Sequence, residues 1–243
     1  MNKQAGFSLV EIMIVLSIGL FLLGGILQIF SASQQTYRMQ RNLARLQENG
    51  RLALDFLARD IRMAGYWGCL SGTNTDIAGV DNNTGVITVD NGTDSIAIKA
   101  AFTVPPILSC GTPVNTDPTY SLTSSATAYK VYTLAPNPYP TLYKKFNGTW
   151  RPLIDGIQDM QILYGVDNDG DRAANYYVVA NNVANMNQVV SVRISLLVVT
   201  LDNYLATQPL TYTYNGVTTT PPLTDLNIRR IFNTTVALRN RLL

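Results

Sequence analysis

Apolar positions along this chain change texture twice. From Ile12 to Phe30 they run almost unbroken, interrupted only by Ser17, Gly19, Gly24, Gly25 and Gln28. Nineteen helical residues at about 1.5 Å each span roughly 28 Å, close to the hydrocarbon thickness of a bilayer. From Ser31 to Met63 the pattern becomes periodic. Leu43, Leu46, Leu54, Leu57 and Ile61 recur mostly at three- and four-residue steps, with one eight-residue step across Gly50. Arg38, Arg41, Arg45, Arg51, Arg59 and Arg62 fall mainly outside that stripe, so this stretch predicts an amphipathic helix continuing the apolar one. Taken as one helix, residues 7–63 make a rod of about 85 Å. Gly65 stands where a helix C-cap is expected.

Beyond Ser71 the chain turns to Thr, Asn, Val, Gly and Tyr in short alternating runs. Residues 86–89, 95–99, 129–133 and 189–199 read as strands, and Asp90-Asn91-Gly92 as a tight hairpin turn. The stretch from Ile228 to Arg241 reads as a last strand with a basic tip. The pattern predicts an α+β protein, a long N-terminal helix packed on an antiparallel β-sheet domain. Its parts are a leader (1–6), a membrane-spanning half-helix (7–30), an amphipathic half-helix (31–64) and a β-rich globular domain (65–243).

Charge gives the anchor a direction. Lys3, in the short polar segment before the apolar run, favours a cytoplasmic N-terminus and export of the rest. A cleaved secretory signal, with Ser31-Ala32-Ser33 at the cut, is the competing reading. The apolar run is longer than the usual 7–15 residues of such signals, and Glu11 interrupts its start. A carboxylate at that depth is costly and calls for a cationic partner.

Composition narrows the chemistry. The 243 residues carry a net charge of +2 and only 14% charged residues, which gives no basic stripe for nucleic acid. The absence of histidine removes the common hydrolase triads and every His-ligated metal site. Lys-, Asp- or Tyr-based catalysis stays open, yet no phosphate-cradling loop or nucleophile elbow is present, and no enzyme is expected. Cys69 and Cys110 match no zinc spacing. In an oxidising compartment they can form a disulfide closing a loop of about 40 residues, worth about 4 kcal/mol on the chain-entropy estimate; unpaired thiols are the alternative. Asp167, Asp169 and Asp171 alternate in a single turn and can converge on calcium. The Gly170 spacing departs from an EF-hand, and the plainer reading is a solvated acidic turn. Calcium there would pin a turn and take no part in catalysis.

Ala5-Gly6-Phe7-Ser8-Leu9-Val10-Glu11, followed by the apolar run, resembles the class III signal of type IV prepilins and type II secretion pseudopilins. The resemblance implies cleavage after Gly6 by a prepilin peptidase and methylation of Phe7. Phe7 and Glu11 share a helix face, so Glu11 can meet the new amine within one subunit. In the family it meets the amine of a neighbouring subunit and sets axial register. The stretches 51–66, 153–167 and 228–241 are similar to the PilW class of minor pilins; residues 71–150 carry no such likeness. The class implies a subunit that initiates or caps a type IV pilus, serving twitching motility, adhesion or DNA uptake. Its implied partners are other minor pilins, the major pilin, the prepilin peptidase and the inner-membrane assembly platform. It would lie in the inner membrane before assembly and on the pilus or cell surface after. A minor pseudopilin of type II secretion, or a single-pass periplasmic adhesin or binding protein, is the alternative.

Overall fold

The computed structural model describes residues 8–66, 77–80, 93–100, 125–146 and 148–241. Gly6, Phe7, Cys69, Cys110, the predicted strand at 86–89 and the predicted turn at 90–92 lie outside them. One helix, α1 (Leu9–Arg62), accounts for 54 residues. The chain divides into two compact units, Met1–Leu43 and Ala44–Leu243.

In the first unit α1 is apolar and exposed, with Leu9 74% and Phe21 84% accessible. Its mean hydropathy reaches 2.5 over its most apolar window, so by length and composition it can cross a membrane. The helix runs through Gly24 and Gly25 without a break. Ser17 Oγ donates to Met13 O at 2.8 Å and Thr36 Oγ1 to Ala32 O at 2.9 Å. Each hydroxyl is thus satisfied inside its own helix, which for Ser17, within the apolar run, is what a lipid environment demands.

In the second unit the periodic leucines do what their spacing predicts. Leu46, Leu57 and Ile61 are buried, joined by Ala53 and Ala58. The long step across Gly50 has a packing reason. Gly50 is itself buried, and a Cβ there would stand 2.5 Å from Cε2 of Phe232. A bulky ring from the far end of the chain fills the gap in the stripe. Gly65, at φ 73°, ends the helix in the left-handed conformation that a side chain disfavours. Asn240 Nδ2 then donates to the carbonyls of Arg62 (3.2 Å) and Ala64 (3.1 Å), taking up acceptors a helix terminus leaves open.

Two antiparallel sheets meet this helix. The five-stranded one is a meander of β1 (Ile77–Val80), β2 (Ser95–Ala100), β3 (Ser125–Tyr132), β4 (Thr141–Phe146) and β5 (Thr149–Asp155), in that spatial order. The four-stranded one contains β6 (Ile157–Val166), β7 (Tyr176–Val178), β8 (Val189–Val199) and β11 (Arg229–Ala237), ordered β11-β8-β6-β7. A small hairpin, β9 (Tyr212–Tyr214) and β10 (Val217–Thr219), is held to the larger sheet by Tyr214 Oη donating to Ser195 O at 2.7 Å. One core cluster unites α1 with both sheets, through Leu57 and Ile61, Ile98 and Val131, and Met160, Leu196 and Val236. The α+β architecture predicted from the sequence is the observed one.

Polar ties fix the helix on the meander. Asp60 Oδ2 accepts from Tyr129 Oη at 2.5 Å and from Lys144 Nζ at 2.6 Å. Asn49 Nδ2 donates to Asp155 O at 2.9 Å, where β5 ends.

Candidate functional site

The anchor is the first candidate. Glu11 lies in the first turn of α1, exposed, where a negative charge complements the helix dipole. The helix is already hydrogen-bonded at its start, with Ile12 N–H donating to Ser8 O at 3.2 Å. Glu11 is the single charged side chain between Leu9 and Gln35. Gly6 and Phe7 lie outside the described residues, so the Phe7–Glu11 pairing is a matter for proposal.

The acidic turn is the second candidate, and it is built as a unit. Asp167 is buried at the end of β6, its N–H donating to Gln188 O at 2.9 Å. Asp167 Oδ1 accepts from the amides of Gly170 (2.7 Å) and Asp169 (3.2 Å), and Oδ2 from that of Arg172 (2.8 Å). The Gly170 amide, with those of Arg172 and Asp169, holds the Asp167 carboxyl below the usual carboxylate range, outweighing the opposing effect of burial. Asp169 Oδ1 accepts from Asp171 N–H at 3.3 Å and Oδ2 from Asn175 Nδ2 at 3.0 Å; Asp171 Oδ1 accepts from Ala173 N–H at 2.8 Å. One oxygen from each of the three carboxylates lies within 4.8 Å of the others. The predicted triad is therefore brought together, as oxygen ligands for a hard cation would be. Both oxygens of Asp167 already serve the backbone, so the turn has a structural purpose with or without an ion.

With this geometry in hand, comparison with known proteins decides the family. Residues 119–240 match the family described as type IV pilus-assembly protein W. The chain belongs to that family. Residues 1–27 separately match the prokaryotic N-terminal methylation motif. Among solved structures the chain is similar to a type IV-like pilin from Thermus thermophilus, at 13% identity and a TM-score of 0.39, over 81% of this chain and 98% of the other. No curated protein matches the sequence.

As a member of the pilus-assembly protein W family with a methylation motif, the chain is a type IV pilus minor pilin of the PilW class. The W-family match covers β3 to β11 and includes the acidic turn; the methylation match takes in Gly6, Phe7, Glu11 and most of the apolar run. Between them lies 28–118, which contains the amphipathic half of α1 and both cysteines.

Sequence reasoning missed two ties that hold this architecture, the Asp60 contact with Tyr129 and Lys144 and the Asn240 cap. The individual residues carry no local signal, because 69, 84 and 176 to 178 positions separate the partners.

Proposed function

We propose that this pilin is cut after Gly6, methylated at Phe7, and held by α1 in the inner membrane with its N-terminus cytoplasmic until it joins a type IV pilus. There it acts as a non-enzymatic structural subunit that initiates or caps the filament together with other minor pilins. The observation that supports this reading is the apolar, exposed first part of α1, whose one carboxylate, Glu11, stands four residues after the motif's Phe7. In lipid an unpaired Glu11 is costly. The amine released at Phe7, in the same subunit or the next, supplies the missing cation. Transfer of α1 from lipid into a bundle of like helices exchanges one apolar environment for another, so extraction need not expose the helix to water.

The test is expression of the full chain with and without a prepilin peptidase, followed by mass spectrometry of the mature N-terminus. N-methylated Phe7 only in the presence of the peptidase supports the reading. An intact Met1, or a start near Gln34, refutes it. Deleting the gene in its host then distinguishes the assembly: loss of surface pili and twitching is expected, whereas loss of protein secretion with pili intact would make the chain a pseudopilin.

A further inference from the structure

Sheet proteins normally blunt their edge strands by proline, lysine, bulges or shortness, because an open row of N–H and C=O groups pairs with any extended chain that reaches it. Three edges of the two larger sheets follow that rule. β1 has four residues and β7 three, while β5 carries Pro152 and a register break against β4. The fourth edge, β11, follows it least, with charge only at Arg229 and Arg230. It has nine residues, no proline or lysine, and an unbroken register with β8.

The ladder's phase shows which groups are free. Thr200 N–H donates to Ile228 O at 3.0 Å and Leu238 N–H to Val190 O at 2.9 Å. Positions 228 and 238 thus turn their main chain towards β8, and so do the even positions between them. Ile231, Asn233 and Thr235 turn theirs to the outer edge, which pairs with no strand among the described residues and is open in that sense.

Along that edge runs the second half of α1, leaving a groove of about 570 Å³. Leu54, Ala58 and Phe232 supply its apolar lining; Arg51, Arg62 and Arg230 supply charge, against Asp55 alone. Arg51 and Asp55 approach only to 3.9 Å and are 84% and 70% exposed, a weak pair in water. Arg62 and Arg230 enter no ion pair among the described residues. The cations sit at the two ends of the groove, with Asp55 about 6 Å along the helix from Arg51. Gly50 packs on Phe232 near the start of β11, which puts Arg51 and Arg230 toward the same end, whereas Asn240 bonds the carbonyl of Arg62 beyond the strand's other end. Arg51 and Arg62 are about 16 Å apart along the helix, which an extended chain covers in about five residues.

We propose that the open edge of β11 receives an extended segment of another protein as an added strand. Its groove-facing side chains at i, i+2 and i+4 are carboxylate, apolar and carboxylate. Main-chain pairing with Ile231, Asn233 and Thr235 provides the attachment, and the two cationic ends with an apolar middle provide the selection. A second copy of β11 does not fit this chemistry, since its sequence from Arg229 to Ala237 contains no acidic residue. The surface is independent of the filament reading and works in whichever assembly the chain serves.

The test uses the full chain in detergent and a fluorescein-labelled eight-residue peptide in which Thr alternates with Glu, Val, Glu and Val. The expected result is binding at least tenfold tighter than that of the same peptide with Lys for Glu, with slowed hydrogen exchange at Ile231, Asn233 and Thr235. Asn233→Pro removes an outward N–H without touching the β8 ladder, and should weaken binding at least tenfold at unchanged Tm. If that variant lowers Tm, the double reversal Arg62→Glu with Arg230→Glu decides alone, by transferring preference to the Lys peptide. Equal binding of the two peptides, no binding, or binding that survives both variants overturns the proposal. So does a dimer of the chain that Asn233→Pro abolishes, which would make a second copy the occupant.

Discussion

Single residues in the sheet unit carry charge into places that tax it, and Asp159 is the clearest case. It sits 4% exposed on β6, where burial pushes its carboxyl up to about 6, although Gln161 Nε2 and the Met160 amide bond to it. The ordinary value is 3.8. Between the two values the folded chain binds more protons than the unfolded one, so stability from this group falls as pH rises from about 4 to about 6 and stays lower above. Two units correspond to at most about 3 kcal/mol. Asp159→Asn keeps an acceptor for Met160 without the charge. It is expected to stabilise the full chain at pH 7.5 by about 1–3 kcal/mol and to give much less at pH 4.5. Denaturant titrations of both chains at the two pH values measure this; an equal gain at both would assign the effect to packing. Asp60 is the contrasting case, a half-buried carboxylate whose burden is met by Tyr129 and Lys144. Neither role was legible in the sequence, where Asp60 and Asp159 are two acids among 16. What identifies them is burial, and burial is set by distant strands.

Elements were legible where one local period dominated. β8 was found to the residue because its run from Val189 to Val199 alternates cleanly, with Val190, Val192, Ile194, Leu196 and Val198 on one face against Ser191, Arg193 and Ser195 on the other. β4 was not found: Lys144 and Lys145 stand in it, and only the distant Asp60 makes Lys144 acceptable on the helix side. The β9–β10 hairpin was missed although Asn215-Gly216 announced it; both residues have positive φ, 49° and 78°, as a two-residue turn of this kind needs. In α1 the eight-residue step across Gly50 is the seat of Phe232. Gly50→Ala gains up to about 1 kcal/mol of helix propensity but drives a Cβ into that ring, at a cost of about 1–3 kcal/mol. The expected net is a lower Tm in the wild type and a higher one in a Phe232→Ala background; a fall in both would show that the helix backbone is what has no room. The acidic turn is tested at the same scale. Asp167→Ala should lower Tm with or without a chelator, because three amides lose their acceptor, and the wild-type contribution should vanish as acid protonates the carboxyl below its ordinary range. Asp169→Asn and Asp171→Asn should leave the Tm in chelator nearly unchanged. A rise in Tm on adding calcium that these two variants abolish would identify a cation site.

For the whole molecule, the α+β plan followed from three textures in the sequence, but the division into two sheets did not. Alternation tells which face of a strand is buried, never which strand lies beside it: β11 pairs with β8 across the intervening hairpin, and β7 returns to β6. The candidate sites divided the same way. Glu11 and the acidic turn are local patterns and could be read directly, whereas the open edge of β11 exists only because β8 occupies its other side. The anchor then bears on the molecule as a whole. A spanning helix needs only apolar length to insert, so a carboxylate at its start costs insertion energy, a cost that the proposed role in assembly accounts for. Glu11→Val should insert at least as well as the wild type and still be cut after Gly6, since the change removes the costly group. If Glu11 meets an amine in the filament, the variant should reach sheared pili at less than a tenth of the wild-type level, a loss of at least 1.4 kcal/mol at the assembly step. Glu11→Asp, which keeps the charge on a shorter stem, should recover part of that level. Immunoblots of membrane and sheared-filament fractions separate the two steps. Equal recovery of Glu11→Val in both fractions would mean that Glu11 lies solvated at the headgroups and that register is set by the globular unit alone.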